Sequence, residues 1–162
     1  MIENYLVYLD LPPVPEELLY PIQDIINAPP KPGSNLPESF YYFQVRAVSD
    51  KLTEWAQDVF KTNCYPQYQI VREGLIIHKD ITRNVAFNYI LQPGGDKVST
   101  NIYDEDQKLI CSEIISPKRW HRLKTDVYHD VTGITTDRVA VSVELLDYVW
   151  GDQTVFGGSS KI

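Results

Sequence analysis

The chain has 162 residues, a net charge of −7 and only two cysteines. A chain of this length can form one domain with its own core, so 1–162 is predicted to be a single domain. Its apolar runs are too short to cross a bilayer, and its acidic charge disfavours duplex nucleic acid, which is bound by clustered Lys and Arg. The N-terminus shows no secretory leader, so a cytoplasmic location with reduced thiols is expected.

The N-terminal third combines strand and helix patterns with one long loop. An apolar strand is predicted over 5–9, and a proline followed by two acids predicts a helix over 15–27. The proline- and glycine-rich segment 28–37 predicts a surface loop and is a candidate lid. A strand over 39–46 and a helix over 49–60 that begins at an N-cap serine follow.

The later part of the chain has an all-β pattern, in which short segments rich in Val, Ile, Thr and Tyr are separated by turn residues. Eight strands are predicted, over 68–72, 75–78, 84–91, 98–103, 109–116, 121–124, 128–133 and 138–145. So many strands in so short a stretch favour a jelly roll. The predicted fold is therefore mainly β: a jelly-roll core over 67–148, N-terminal α/β elements over 1–66 packed on the sheet, and a flexible tail over 151–162.

Two metal-ligand residue types lie two positions apart in the sequence Ile76-Ile-His-Lys-Asp80. Period two places His78 and Asp80 on one face of a strand. His129, near the start of a later predicted strand, supplies a second imidazole. Two imidazoles and one carboxylate cap one face of an octahedral ion and leave positions open, as a non-haem Fe(II) oxygenase requires.

Arg138 follows His129 by nine residues, across the turn 133–137. If the chain reverses near the start of this turn, the two residues face each other across a hairpin and point into one cavity. The planar guanidinium can bind a carboxylate with two hydrogen bonds, which suits the distal acid of 2-oxoglutarate. His121 is the rival second histidine, but no arginine or lysine follows it at a comparable offset.

Taken together, His78-x-Asp80, His129 and the run Arg138-Val-Ala-Val-Ser142 resemble the 2-oxoglutarate and Fe(II)-dependent oxygenase superfamily, over roughly residues 68–146. The resemblance implies a double-stranded β-helix of the jelly-roll type, Fe(II) as the metal and 2-oxoglutarate as the cosubstrate. The context of the first histidine is similar to prolyl-hydroxylase-like and aspartyl/asparaginyl-hydroxylase-like members, including small ones in bacteria and their phages.

The resemblance also implies further contacts. Tyr or Asn side chains after the His-x-Asp motif meet the cosubstrate in such enzymes, which makes Asn88 and Asn101 candidates and Tyr89 or Tyr103 alternatives. Arg83 is a candidate for binding substrate, with an ordinary ion pair as its alternative. The implied activity is hydroxylation of a C–H bond in a peptide or amino-acid-like substrate, with release of succinate and carbon dioxide.

Two other functions remain open at this stage. One is a cupin-like metal protein that works without 2-oxoglutarate. The other is a non-catalytic jelly roll used for assembly, in which His78 and His129 are structural, since a fold does not fix a function. Neither the substrate nor the oligomeric state follows from the sequence.

Overall fold

The computed structural model describes residues 2–31, 43–81, 83–145 and 160–161, and these residues form two antiparallel β-sheets with helices on one side. The strands are β1 (Leu6–Leu9), β2 (Phe43–Arg46), β3 (Cys64–Val71), β4 (Leu75–His78), β5 (Val85–Gln92), β6 (Ser99–Tyr103), β7 (Leu109–Glu113), β8 (Trp120–Lys124), β9 (Tyr128–Thr132), β10 (Arg138–Leu145) and β11 (Ser160–Lys161). The helices are α1 (Ile22–Asn27), α2 (Asp50–Phe60) and two short 3-10 turns, Ile2–Asn4 and Glu16–Leu18.

The path of the chain between the sheets defines the fold. The large sheet has the strand order β11-β1-β8-β5-β10-β3-β2, and the small sheet has the order β4-β9-β6-β7. From β3 to β10 the chain passes repeatedly from one sheet to the other, and all pairings are antiparallel. This winding is a double-stranded β-helix, which confirms the predicted jelly-roll fold.

The two faces of the large sheet differ in what covers them. Its outer face packs on α2, where the ring of Phe60 meets Phe87 and Trp120 edge-on at centroid distances of 5.7 and 5.2 Å. The inner face meets the small sheet through a second, smaller apolar cluster, called the inner cluster, which consists of Leu6, Ile90, Ile102, Ile115, Leu123 and Ala140. Along β10, Val139 and Val141 belong to the outer core, so period two turns the alternate residues of that strand inward.

The prediction of one continuous helix over 15–27 is wrong. The structure has a 3-10 turn at Glu16–Leu18 and then the separate helix α1. Pro21 lies at the N-cap of α1, where its missing N–H is tolerated, whereas inside a continuous helix it would remove a hydrogen bond. The predicted helix after Ser49 is confirmed, since the Ser49 side chain accepts a hydrogen bond of 3.1 Å from the N–H of Leu52.

All eight predicted strands of the core are present, and the largest difference is at the start of β3. This strand begins at Cys64 rather than Tyr68 and therefore includes Pro66. In the described residues β2 pairs with β3 only from Tyr68 onward, so Pro66 has a ladder partner on one side alone. Proline is tolerated in a strand at such an edge.

Two predictions fall largely on residues that the structure does not describe. The candidate lid over 28–37 is described only as far as residue 31, and its remainder lies outside the described residues. Of the predicted flexible tail over 151–162, only Ser160–Lys161 is described, and this segment pairs with β1. In the described ranges, no helix is long and apolar enough to span a membrane.

Candidate metal centre

Pairing between β4 and β9 brings the two predicted histidine ligands together. His78 is the last residue of β4 and lies opposite His129 of β9, and their ring centroids are 4.3 Å apart. Just beyond β4, the N–H of Asp80 donates a 2.9 Å hydrogen bond to the carbonyl of Thr125, which fixes the backbone there. Each of the three side chains offers a ligand atom within 4.8 Å of the others.

Both imidazole rings are oriented by hydrogen bonds of the same kind. The Nδ1 atom of His78 lies 2.7 Å from the Ile76 carbonyl, and Nδ1 of His129 lies 2.8 Å from the Val127 carbonyl. Because a carbonyl only accepts, Nδ1 is the donor in each ring, and the neutral ring then presents an Nε2 lone pair. These Nε2 atoms lie 3.4 and 3.6 Å from Oδ1 of Asp80.

Arg83 holds the other oxygen of the same carboxylate. Its Nε donates to Oδ2 of Asp80 at 2.5 Å, and its Nη1 donates to the Ser142 hydroxyl at 3.3 Å. Burial alone would raise the pKa of Asp80, but the hydrogen bond to His78 and the charge of Arg83 outweigh it and lower the pKa to about 2. Asp80 is therefore ionised, with Oδ1 left facing the two imidazoles.

The pKa values of the two histidines shift in opposite directions, although burial is the largest single effect on each. Burial acts to lower the pKa of His78, but the contacts with Asp80 and the Ile76 carbonyl raise it overall. For His129, the more deeply buried of the two, burial is the largest effect and the pKa is lowered. Both rings share one carboxylate oxygen, so the position between them suits a cation.

The donor set fits a divalent transition metal. Two imidazole nitrogens and one carboxylate oxygen converge, and each imidazole has its other nitrogen bonded to a carbonyl, as is usual for metal-bound histidine. Without a cation, neutral rings would point lone pairs at a carboxylate with no donor between them. Among the described residues, this His-Asp-His group could hold a metal ion.

Arg138 faces the same barrel interior as His129, but by a different route from the predicted hairpin. The hairpin prediction is wrong, because β9 pairs with β4 and β6 while β10 pairs with β3 and β5. The connection 133–137 instead crosses between the sheets. His129 pairs with the inner-cluster residue Ile102, and Arg138 lies on the same face as the inner-cluster residue Ala140, so both side chains face the space between the sheets.

The Arg138 guanidinium is buried, and the residue is 8% exposed. In the part of the chain that the structure describes, this guanidinium makes no hydrogen bond or ion pair. Burial lowers its pKa to about 10, so it remains charged at neutral pH. Gly94 packs closely against the Cβ end of the Arg138 side chain. Its φ is +88°, and an added Cβ at Gly94 would lie 2.9 Å from Cβ of Arg138.

His121, the rival ligand, lies in the large sheet and is not part of the His-Asp-His group. It is 1% exposed, and burial together with the charge of Arg138 lowers its pKa to about 3. The ring is therefore neutral. The backbone of Arg119 acts on it in the opposite direction and raises the pKa, although the geometry leaves the buried Nδ1 without a full hydrogen bond among the described residues. Tyr8 packs against the ring edge-on, with centroids 6.3 Å apart.

Of the candidate cosubstrate residues in β5, only one faces inward. Asn88 lies in register between His121 on β8 and Ser142 on β10, and within the described ranges its buried Oδ1 has no partner. Tyr89 points to the opposite face, where its ring packs on Trp120 in the outer core. There it lines a cleft of about 410 Å³ that contains none of the three candidate metal ligands.

The candidates in β6 lie on the opposite side of the small sheet from the candidate metal centre. Asn101 pairs in register with Asp130, one residue away from the pair formed by Ile102 and His129, so its side chain points outward. The Asn101 amide and the Tyr103 hydroxyl donate to Asp130 at 2.7 and 2.9 Å. These hydrogen bonds account for Asn101 and Tyr103 structurally and separate them from His129.

Comparison with known proteins gives a loose likeness of fold. No family model and no curated protein matches the chain. One similar solved structure is procruciferin, an 11S globulin from Brassica napus, with a TM-score of 0.40 and 6% identity over 63% of this chain and 24% of that chain. A cupin superfamily protein from Desulfitobacterium hafniense has a TM-score of 0.41 and 15% identity over 85% of this chain and 98% of that chain. AviO1 from Streptomyces viridochromogenes has a TM-score of 0.36 and 11% identity over 62% of this chain and 60% of that chain. The chain thus spans about a quarter of the procruciferin chain, and likeness at these scores assigns neither residues nor activity.

Proposed function

We propose that the chain is an Fe(II)- and 2-oxoglutarate-dependent oxygenase that hydroxylates a C–H bond of a peptide or amino-acid-like substrate, with release of succinate and carbon dioxide. One observation carries the proposal: a His-Asp-His group with fixed ring orientations shares the barrel interior with a buried arginine that has no counterion among the described residues. The first feature suits a metal and the second suits an anion.

In this proposal His78, Asp80 and His129 hold Fe(II). Two nitrogens and one oxygen leave coordination positions free for other ligands, and bound Fe(II) together with 2-oxoglutarate would supply the oxidising power. Arg83 keeps Oδ2 of Asp80 occupied, so that Oδ1 is the oxygen directed at the metal position. The hydrogen bonds to the Ile76 and Val127 carbonyls place the proton of each neutral ring on Nδ1, so that Nε2 offers a lone pair to the metal.

Arg138 is the proposed partner of the distal carboxylate of 2-oxoglutarate. A buried charge is costly unless it is paired, and no described carboxylate pairs with this one. Its neighbour Asp137 instead forms a 3.4 Å ion pair with Arg72. An anionic ligand between the sheets would supply the missing charge.

The surface beside the proposed metal position supports a substrate with apolar groups. Ile76 is 84% exposed and Ile81 is 99% exposed, and they flank His78 and Asp80 in the chain. Exposed apolar residues next to a site indicate a binding surface. Among the described residues β4 is also an edge strand of the small sheet, so an extended peptide could pair with its outer backbone.

Succinate formation from 2-oxoglutarate, with added Fe(II) and dioxygen, tests the proposal. We expect slow turnover in the wild-type protein and none in Asp80→Ala, while Asp106→Ala, which removes an exposed aspartate, serves as the matched control. Addition of prolyl or asparaginyl peptides and of free amino acids should identify the substrate by faster succinate release.

The rival functions give different results in the same assay. A cupin-like metal protein would bind the metal but would not consume 2-oxoglutarate under any condition. A non-catalytic assembly module would show neither property. Turnover that survives in Asp80→Ala would also overturn the proposal, because the metal would then be held elsewhere.

A further inference from the structure

We propose that the cleft at the start of β8 is a second binding site, and that it takes a small organic acid with one carboxylate and an apolar body. The cleft has a volume of about 410 Å³, which lies within the usual range for small-molecule sites. Its lining includes Tyr89, Lys118, Arg119 and Trp120. The inference goes beyond the proposed function and does not depend on it.

The cleft and the candidate metal centre lie at opposite ends of β8. Trp120, the first residue of this strand, lines the cleft. Thr125, just beyond the last residue of the strand, accepts the backbone hydrogen bond from Asp80. The strand between Trp120 and Thr125 spans roughly 16 Å at the usual rise per residue. A ligand in the cleft therefore occupies a different place from the metal.

Arg119 is an exposed cation in the lining, and its guanidinium is already positioned. The guanidinium carbon lies over the ring of Tyr8, 4.0 Å from the centroid. The Tyr8 hydroxyl accepts a 2.9 Å hydrogen bond from the N–H of Ser116, which fixes the ring. A guanidinium that packs on a ring face retains N–H donors that can bind a carboxylate with two hydrogen bonds. In the described part of the chain Arg119 forms no ion pair, so these donors are available.

Lys118 adds a second cation beside Arg119. Its φ is +56°, and its N–H donates a 2.9 Å hydrogen bond to the Ile90 carbonyl, so the turn that carries it is held in place. The ammonium lies 3.4 Å from a carboxylate oxygen of Glu16, but the two side chains are 60% and 82% exposed. Such a surface pair contributes little to stability, so the ammonium can turn to a ligand in the cleft.

The buried part of the lining is apolar and consists of Leu9, Tyr89 and Trp120. The Tyr89 hydroxyl is hydrogen-bonded to the backbone of Val14, and Nε1 of Trp120 donates to the Pro12 carbonyl at 3.1 Å. Because the polar atoms of both rings already have partners, this part of the cleft offers a ligand apolar contact only. The body of the ligand is therefore apolar, and its charge lies beside the two cations.

The charge of the lining fits one carboxylate. Lys118 and Arg119 contribute two positive charges and Asp10 one negative charge, which leaves a net charge of +1 in a chain whose net charge is −7. One carboxylate would neutralise this charge. A polyanion or an acidic peptide would bring further negative charges toward Asp10, so the charge balance favours a small monocarboxylic acid.

Nuclear magnetic resonance titration of the full-length, metal-free protein tests the inference. The probes are 3-phenylpropanoate, its neutral amide 3-phenylpropanamide, and acetate, which lacks the apolar body. We expect 3-phenylpropanoate to shift the indole N–H signal of Trp120 and the backbone N–H signal of Arg119 saturably, with a Kd on the order of 1 mM. The amide and acetate should each bind at least about tenfold more weakly.

Variants separate the two cations from the rest of the surface. Arg119→Gln should weaken the binding of 3-phenylpropanoate about tenfold, and Arg119→Lys, which keeps the charge without the planar fork, should lie between it and the wild type. Lys118→Asn, in which asparagine tolerates the positive φ, should weaken binding about threefold. Lys108→Asn removes an exposed lysine before β7 and should bind like the wild type.

Three results would overturn the inference: no saturable shift in the wild-type protein, equal binding of the acid and its amide, or unchanged binding in Arg119→Gln. Loss of binding in Arg138→Met would also overturn it, because the carboxylate would then lie inside the barrel. So would binding of a peptide of alternating Glu and Phe in place of 3-phenylpropanoate, which would identify a peptide-docking surface. Each of these failures leaves the proposed function unaffected, since the titration uses neither metal nor 2-oxoglutarate.

Discussion

The two faces of the large sheet are built on different principles. The outer face is apolar and covered by α2, and Val139 of the sheet and Leu52 and Phe60 of α2 are fully buried between them. The inner face instead carries polar side chains whose hydrogen bonds are not made within the described structure, among them Asn88 and His121. The outer face thus supplies stability, and under the proposed function the unpaired polar groups of the inner face lower stability but are free to bind ligands.

The largest expected effect is at the candidate metal centre. Asp80→Ala removes the oxygen that both imidazoles face and leaves the Arg83 charge unpaired beside them. We expect the affinity for Mn(II) to fall by more than about 100-fold, beyond the loss that accompanies removal of an outer-sphere partner. Calorimetry measures this, and Asp106→Ala should bind Mn(II) like the wild type.

A cavity in the outer core should have the next largest effect, on stability alone. Phe60→Ala removes a fully buried ring that contacts Phe87 and Trp120. We expect a loss of about 3 to 5 kcal/mol in the free energy of unfolding, measured by urea denaturation. Mn(II) affinity of the remaining folded protein should be unchanged, and a parallel loss would show that the two faces are not independent.

Arg138→Met should raise the stability of the ligand-free protein while it lowers the affinity for 2-oxoglutarate. The substitution replaces a buried, unpaired charge with an apolar side chain of similar length, so we expect the ligand-free protein to gain about 2 kcal/mol. Affinity for 2-oxoglutarate should be lost. Urea denaturation and calorimetry on the same sample check both effects, and a destabilised variant would mean that a protein group already pairs with Arg138.

The smallest expected effect is a pH dependence that arises from His121. Its pKa in the folded protein, about 3, is below the unfolded value of roughly 6.5, so at intermediate pH His121 binds a proton in the unfolded chain but not in the folded chain. This stability is fully present above about pH 6.5 and is lost as the pH falls toward 3.

Between pH 7 and 5.5 we expect His121 to cost about 1 kcal/mol of stability. His129, whose pKa is also lowered, acts in the same direction, so the His121 share is obtained by comparison with His121→Asn. Asp80 titrates below this window because its pKa is about 2. An equally steep pH dependence in His121→Asn would contradict the buried neutral ring.

Local patterns were sufficient to predict much of this fold. Alternation and turn residues predicted the strands of the core, and period two predicted that His78 and Asp80 would share a side, because these signals depend on neighbours in the chain. Strand pairing depends on distant segments, so the sequence did not show that β9 and β10 lie in different sheets. The cause is long-range topology, which local spacing does not determine.

The same limit explains why the sequence could not rank the candidate cosubstrate residues near the candidate metal centre. Asn88, Tyr89, Asn101 and Tyr103 were not distinguishable by spacing, since the inward face of each strand is known only once the sheets are stacked. Arg83 forms an ion pair with Asp80, three positions before it in the chain, and the sequence had indicated an ordinary ion pair as the alternative role of Arg83.

The most direct test of the central claim is an anaerobic titration of the Fe(II)-loaded protein with 2-oxoglutarate, followed by visible absorption. We predict a weak charge-transfer band that saturates with 2-oxoglutarate in the wild-type protein, is absent in Asp80→Ala and requires much more ligand in Arg138→Met. Wild-type protein that binds Fe(II) yet develops no band at saturating 2-oxoglutarate would contradict the account.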